Sequence, residues 1–206
     1  MSRRGFLEQA TRQRATQAIR QIESETAVEV VVAVRKRASR YPRTSLACGA
    51  AVALVVLLVL LLSPTIYLWL WIVVDTLLAF LLATAMFSTF TPLRMAFTTA
   101  RSRRAAVEQG ARRAFDELGI RETKERTGLL VYAALEERSV RVVADEGVPE
   151  EVLGEEYHDA VLGLQEAVAT LNEEAFLAAL LRLERPLSQV LPRQPDDENE
   201  LSDDVA

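Results

Sequence analysis

The chain has one cysteine, Cys48, and one histidine, His158. One thiol closes no disulfide within the chain and builds no cysteine-based metal site. One imidazole makes no histidine-rich zinc site. Cys48 falls in an apolar run, where it reads as a small membrane-facing side chain. His158, beside Asp159, reads as a surface or half-buried helix residue. Also missing are Gly-x-x-x-x-Gly-Lys, Gly-x-Ser-x-Gly, His-Glu-x-x-His and Cys-x-x-Cys, the patterns of phosphate loops, serine hydrolases, zinc proteases and dithiol redox sites. No apolar leader opens the sequence either: "MSRRGFLEQATRQRATQAIRQIESE" is basic and broken by polar residues. Its Ala15, Ala18, Ile19 and Ile22 share one helix face, so it reads as an amphipathic helix.

Charge is unevenly placed. Residues 1–43 hold 10 Lys/Arg and 4 Glu, whereas residues 94–206 hold 14 Lys/Arg and 24 Asp/Glu. The acidic C-terminal part argues against a nucleic-acid partner, because it would repel phosphates.

What the chain does have is two long apolar runs. Leu46–Leu62 is uncharged over 17 residues, or 19 with Thr44 and Ser45, and Ile66–Phe87 adds 22 interrupted only by Asp75. A membrane span takes roughly 20 residues, and Ser63-Pro64-Thr65 between the runs is turn-forming. The sequence therefore predicts a transmembrane helical hairpin within residues 44–93, with spans at about 44–62 and 66–87. Arg35, Lys36, Arg37, Arg40 and Arg43 precede it, Arg94, Arg101, Arg103 and Arg104 follow it, and the connecting loop is uncharged. By the positive-inside rule both termini lie in the cytoplasm, and these cations also meet lipid headgroups. The expected location is the bacterial cytoplasmic (inner) membrane.

Asp75, tenth in the second run, is expected near the bilayer midplane. A central Asp costs about 2.5–3.5 kcal/mol, while each Leu, Ile, Val or Phe returns about 0.3–0.6, and the run has 12 of these. Insertion therefore wins. Folded about Pro64, the hairpin sets Ala53 against Asp75 and Gly49 against Ala79. Gly49-x-x-x-Ala53 and Ala79-x-x-x-Ala83 are small-residue pairs that permit close contact. Three readings of Asp75 stand: a protonated acid bonded locally near Trp71 or Thr76, a contact with another chain, or a proton or ion path.

The flanking segments read as one split α/β domain, 1–43 and 94–192. "AVEVVVAV" (27–34) suits a strand buried on both faces. Val107, Ala111, Ala114, Phe115 and Leu118 form a helical stripe stopped by Gly119. "GLLVYAAL" (128–135) and "SVRVVAD" (139–145) read as a strand hairpin. A helix starting at Pro149 carries Tyr157, Val161 and Leu164, Asn172 caps another, and Pro186 bends or breaks it. The first two strands, joined by a crossover containing a helix, are expected to pair parallel, and the third to add antiparallel, with helices on both faces. Residues 193–206, "RQPDDENELSDDVA", read as an acidic, disordered tail.

"IRQIESETAVEVVVAV", "RASRY", "FDELGIRETKERTGLLVYAALEERSVRVVADEGV" and the closing "NELSDD" resemble the TPM-domain family, over about residues 15–43 and 105–204. The most specific piece runs from Arg126-Thr127-Gly128 to the Asp-x-Gly of Gly147. The resemblance implies a small Rossmann-like α/β/α sandwich. Members include photosystem-repair proteins and an accessory subunit of a receptor channel, which implies an accessory role in assembling or maintaining a membrane complex. Weak phosphatase activity proposed in the family implies an enzymatic alternative. The chain departs from the family in its cytoplasm-favouring arginines and in starting almost inside the first helix.

Candidate chemistry is sparse. Asp145 and Glu146, where a strand's carboxyl end meets a loop and helix, offer a site for a divalent cation, with Glu150 or Glu151 beside them. The expectation is otherwise no cofactor. Partners are membrane lipids and another membrane protein or a second copy of the chain.

Overall fold

The computed structural model describes residues 6, 9–39, 42–65, 67–194, 200–201 and 205, and their side chains except at 42, 43, 93 and 94. The chain forms two compact units. Met1–Ala38 and Arg104–Ala206 make an α/β unit, and Ser39–Arg103 make a helical one.

In the α/β unit the elements run α1 (Gln9–Glu25), β1 (Glu29–Arg35), α5 (Ala100–Glu117), β2 (Gly128–Ala134), β3 (Ser139–Ala144), α6 (Gly154–Thr170), α7 (Glu173–Leu181) and α8 (Glu184–Val190). In the helical unit they are α2 (Pro42–Leu62), α3 (Trp69–Thr89) and α4 (Thr91–Phe97), with α5 beginning at its end. The sheet order is β1-β2-β3. β1 pairs parallel to β2 from Glu29↔Gly128 to Arg35↔Ala134. β2 pairs antiparallel to β3 from Leu129↔Ala144 to Ala134↔Ser139. A mixed sheet with this order is what the crossover and the tight strand hairpin dictate.

Strand alternation sorts the core into two layers. Val30, Val32, Val34, Leu129, Val131, Ala133, Val140 and Val142 face Ile19, Ile22, Tyr157, Leu164, Phe176 and Leu180, from α1, α6 and α7. Val31, Ala33, Leu130 and Tyr132 face Val107, Ala111, Ala114 and Phe115 of α5. Every residue of β2 is buried, and so are Val30 to Val34 of β1. This is the pattern of strands covered on both sides. Phe6 meets Phe176 edge-on, ring centroids 5.5 Å apart. Gly119, at φ 66, ends α5 as expected, and the Asn172 side chain accepts from the Ala175 N–H at 3.2 Å to cap α7.

Three expectations change. α6 begins at Gly154, because Pro149 leads only a short 3-10 turn over Glu150–Val152. The break before Pro186 falls at Arg182–Leu183, and the proline sits in the first turn of α8, where its missing N–H costs nothing. The acidic tail is seated on the domain at the residues described. The Lys124 N–H donates to the Glu200 carboxylate at 2.8 Å, and Val205 packs in the core.

In the helical unit α2 and α3 are long and apolar enough to cross a membrane, over Thr44–Leu62 (19 residues) and Trp69–Thr89 (21 residues). They run antiparallel, with Ala50 to Leu57 alongside Ile72 to Phe80. Phe87 and Phe97 meet edge-on at 5.3 Å and brace α4 against the end of α3.

Leu164 is fully buried between α6 and the sheet. Leu164→Ala is expected to cost about 2–5 kcal/mol, read by urea unfolding followed by circular dichroism. His158→Ala, on the exposed face of the same helix, is expected to stay within about 0.5 kcal/mol.

Candidate functional site

The loop after β3 and the loop before β2 are stitched together at the open end of the strand hairpin. The Asp145 N–H donates to the Gly128 carbonyl at 2.9 Å, the Gly147 N–H to the Arg126 carbonyl at 2.8 Å, and the Val148 N–H to the Asp145 carbonyl at 3.0 Å. A Cβ at Gly147 would collide with the carbonyl oxygens of Glu125 and Arg126, which is why this approach requires glycine. Arg126 takes a left-handed backbone, φ 59, and turns its guanidinium onto Asp145. Its Nε donates to Oδ2 at 2.8 Å and its Nη2 to Oδ1 at 2.9 Å. The Glu146 N–H also donates to Asp145 Oδ1, at 2.9 Å.

The electrostatics follow from this geometry. The Arg126 hydrogen bonds hold the Asp145 carboxyl below the usual carboxylate range, against the opposing effect of burial. Asp145 in turn raises the Arg126 guanidinium. Beside the pair lies an open cavity of about 550 Å³, lined by Arg112, Arg121, Glu146 and Glu150 among others. Tyr157, buried under this loop, donates its hydroxyl to Glu150 Oε1 at 3.1 Å. Burial first, and then the Glu150 charge, push the Tyr157 phenol well up, so it stays a proton donor in place.

These contacts bear on the cation reading of Asp145 and Glu146. Both Asp145 oxygens are occupied by a bidentate guanidinium, and a metal ion would have to displace it. Glu146 is 82% exposed in its side chain and lies 3.4 Å from the same arginine. Among the described residues no group of three His, Cys, Asp or Glu side chains is placed to hold a metal ion. Sequence reasoning did not single out Arg126 as a partner of Asp145. The antiparallel register held the signal, since it sets Asp145 opposite Gly128, two residues from Arg126. Nor did the sequence single out Glu23. It is buried, and its Oε1 accepts from the Val30 N–H at 2.9 Å, on the edge of β1 that faces away from β2.

In the hairpin the small residues do bring the helices together, in a register different from the expected one. Gly49 and Ala53 are buried on α2, and Ala83 on α3, with Ala79 half-buried. Gly49 lies against Phe80 and Thr84, where a Cβ would strike the Thr84 hydroxyl, so the pairing slides by up to five residues from Gly49–Ala79. Asp75 consequently leaves the seam. It is exposed, as is Trp71, whereas its neighbour Thr76 turns inward and donates its hydroxyl to the Ile72 carbonyl at 2.7 Å. Among the described residues Asp75 has no hydrogen-bond or ion-pair partner. It is the seventh residue of α3, about 9 Å along the helix from Trp69 at the loop end and about 6 Å from the helix centre. Tyr67, Trp69 and Trp71 form an exposed aromatic group at that end, the composition of a membrane–water interface.

The flanking cations divide. Lys36, Arg37, Arg101 and Arg104 are exposed and Arg35 is half-buried. Arg103 has a structural task, donating from Nη1 to the carbonyls of Met95 (3.1 Å) and Thr98 (2.7 Å) at the end of α4. Arg40 and the side chains of Arg43 and Arg94 lie outside the described residues.

No protein-family model and no curated protein matches the chain. Among solved structures it is similar to the NMR structure of the BA42 protein from the psychrophilic bacterium Bizionia argentinensis, with a TM-score of 0.57 and 16% identity. The match covers 97% of this chain and 93% of that one. At this identity the likeness concerns the fold alone: a mixed α/β architecture with a three-stranded sheet.

Because its folded pKa is lowered, the stabilisation from Asp145 is present above the unfolded value of about 3.9 and is lost as pH falls through the lower folded value. Asp145→Asn is therefore expected to lower the urea midpoint at pH 7, with the gap to wild type shrinking as the pH is taken below about 4. An equal gap at both pH values would show that the Arg126 pairing carries no pH dependence.

Proposed function

We propose that this protein is a multi-pass membrane accessory protein, whose TPM-like, Rossmann-like α/β/α domain binds a membrane complex and supports its assembly or maintenance. The observation that carries the reading is Asp75, an exposed carboxylate without a partner among the described residues, on a hairpin otherwise clothed in exposed leucine, valine and tryptophan. An acid in such a surface is costly in hydrocarbon and is relieved by a polar group on another chain. The insertion of the hairpin between two strands of one sheet further supports a domain held close to a bilayer, and the likeness to BA42 supports only the fold. In this reading the protein belongs to the bacterial inner membrane, with both termini cytoplasmic. A metal-dependent phosphatase finds no support in Asp145 and Glu146, which are engaged by Arg126. An ion path is not favoured either, since two helices enclose none.

Two measurements test this. On native gels of membranes extracted in mild detergent, wild type is expected in a complex from which Asp75→Leu is lost, while Asp75→Asn, which keeps the hydrogen-bonding group, is retained in part. Identical migration of all three would overturn the contact. In intact cells, with Cys48→Ser as background, Ser63→Cys is expected to react with an impermeant maleimide and Arg113→Cys only after lysis. The opposite pattern would put the domain on the outer side.

A further inference from the structure

The two edges of the sheet are treated differently. On β1 the outward Val30 N–H is stopped by the buried Glu23 carboxylate. On β3 the hydrogen bond from the Asp145 N–H to Gly128 fixes the alternation, so Ser139, Arg141 and Val143 face β2 while the main-chain groups of Val140, Val142 and Ala144 point away. Among the described residues no hydrogen bond meets those outward groups. β3 also contains no proline and no bulge, two of the usual ways of closing an edge. Two open cavities follow this edge between α5 on one side and α6 with its preceding turn on the other. One, of about 750 Å³, lies at the Arg138–Arg141 half, and the other, of about 550 Å³, at the Val143–Val152 half. The Arg141–Glu108 ion pair, at 2.8 Å, lines the first of them.

The charges along the edge are of opposite sign at its two ends. The first cavity is lined by three arginines and two glutamates, the second by five acids and two arginines. We infer that β3 pairs antiparallel with β3 of a second copy of this chain, about a two-fold axis at Val142, making one continuous six-stranded sheet. This surface is separate from Asp75, and the inference stands independently of the function proposed above.

The arithmetic of the pairing is self-consistent. Centred on Val142, the outward residues meet as Val140 with Ala144, Val142 with Val142 and Ala144 with Val140, exchanging ~six main-chain hydrogen bonds. The same symmetry carries Arg138 of each copy to Glu146 of the other, so the cationic half of one edge meets the anionic half of its partner. A contact of this kind is isologous and closes at two copies.

The test uses the full chain in detergent, by light scattering corrected for the micelle, at roughly 50 µM, well above the Kd of a micromolar dimer. Wild type is expected as a dimer. Ala144→Pro removes an outward donor without touching the β2 ladder and is expected to give monomer. Arg138→Glu is expected to give monomer through repulsion from Glu146, and Arg138→Glu with Glu146→Arg to restore the dimer. Circular dichroism of each variant checks folding, and the charge pair keeps the test open if the proline variant does not fold. A monomeric wild type would overturn the inference. So would a dimer that a folded Ala144→Pro and Arg138→Glu both leave intact, or one abolished by Asp75→Leu alone.

Discussion

The parallel pairing of β1 with β2 is the constraint on which the fold depends. Seven residues on each strand are in register, yet about ninety residues, including the whole helical unit, separate them in the chain. Closing a loop that long costs little more than closing one half its length, because the entropy grows only with the logarithm of length. A helical hairpin also returns the chain to the side it left. The ladder continues past the strand ends, with the Leu135 N–H donating to Arg35 and the Glu136 N–H to Lys36, each at 3.0 Å. The Ala38 N–H donates to the Glu137 carboxylate at 3.1 Å. The last residues before the helical unit are thus fixed to the turn between β2 and β3.

At the other end of β2 the Arg126–Asp145 pair plays the complementary part. It is a charge pair with two parallel hydrogen bonds, the geometry in which arginine serves better than lysine, and it closes two loops that glycine allows to touch. The cavity beside it is open and of mixed charge. Its nearest carboxylates are either held by arginine, as in Asp145, or bonded by a buried phenol, as in Glu150. The contacts at this site hold the two loops in place.

Much of this was legible in the sequence because periodicity reports burial. The continuous apolar runs of β1 and β2, buried on both faces, the Val107–Phe115 stripe of α5 and the Asn172 cap all read through to the structure. So did the parallel-then-antiparallel sheet, since a crossover followed by a three-residue turn leaves few other topologies. Features that depend on the rotation or meeting of distant elements did not read through. A one-residue change in helix facing, about 100°, decides whether Asp75 or Thr76 looks into the hairpin seam, and the positions of small residues alone did not fix that register. The Arg126–Asp145 pair joins residues nineteen positions apart and is visible only once the strand register is known. The role of Glu23 did not read through because the edge it closes belongs to the tertiary fold.

The insertion also imposes an order in time. β1 leaves the ribosome with the valines of Val30 to Val34 uncovered, and its partner strand follows about ninety residues later. At about 5–20 residues per second, that interval is roughly 5–20 s, during which a strand meant to be buried on both faces has no sheet to join. The apolar helices emerge within the same interval. In the membrane reading proposed above, the hairpin would reach the bilayer before the α/β domain is complete. A delay in its insertion would lengthen the exposure of β1, making the aggregation hazard of this chain a matter of synthesis rather than of the finished fold.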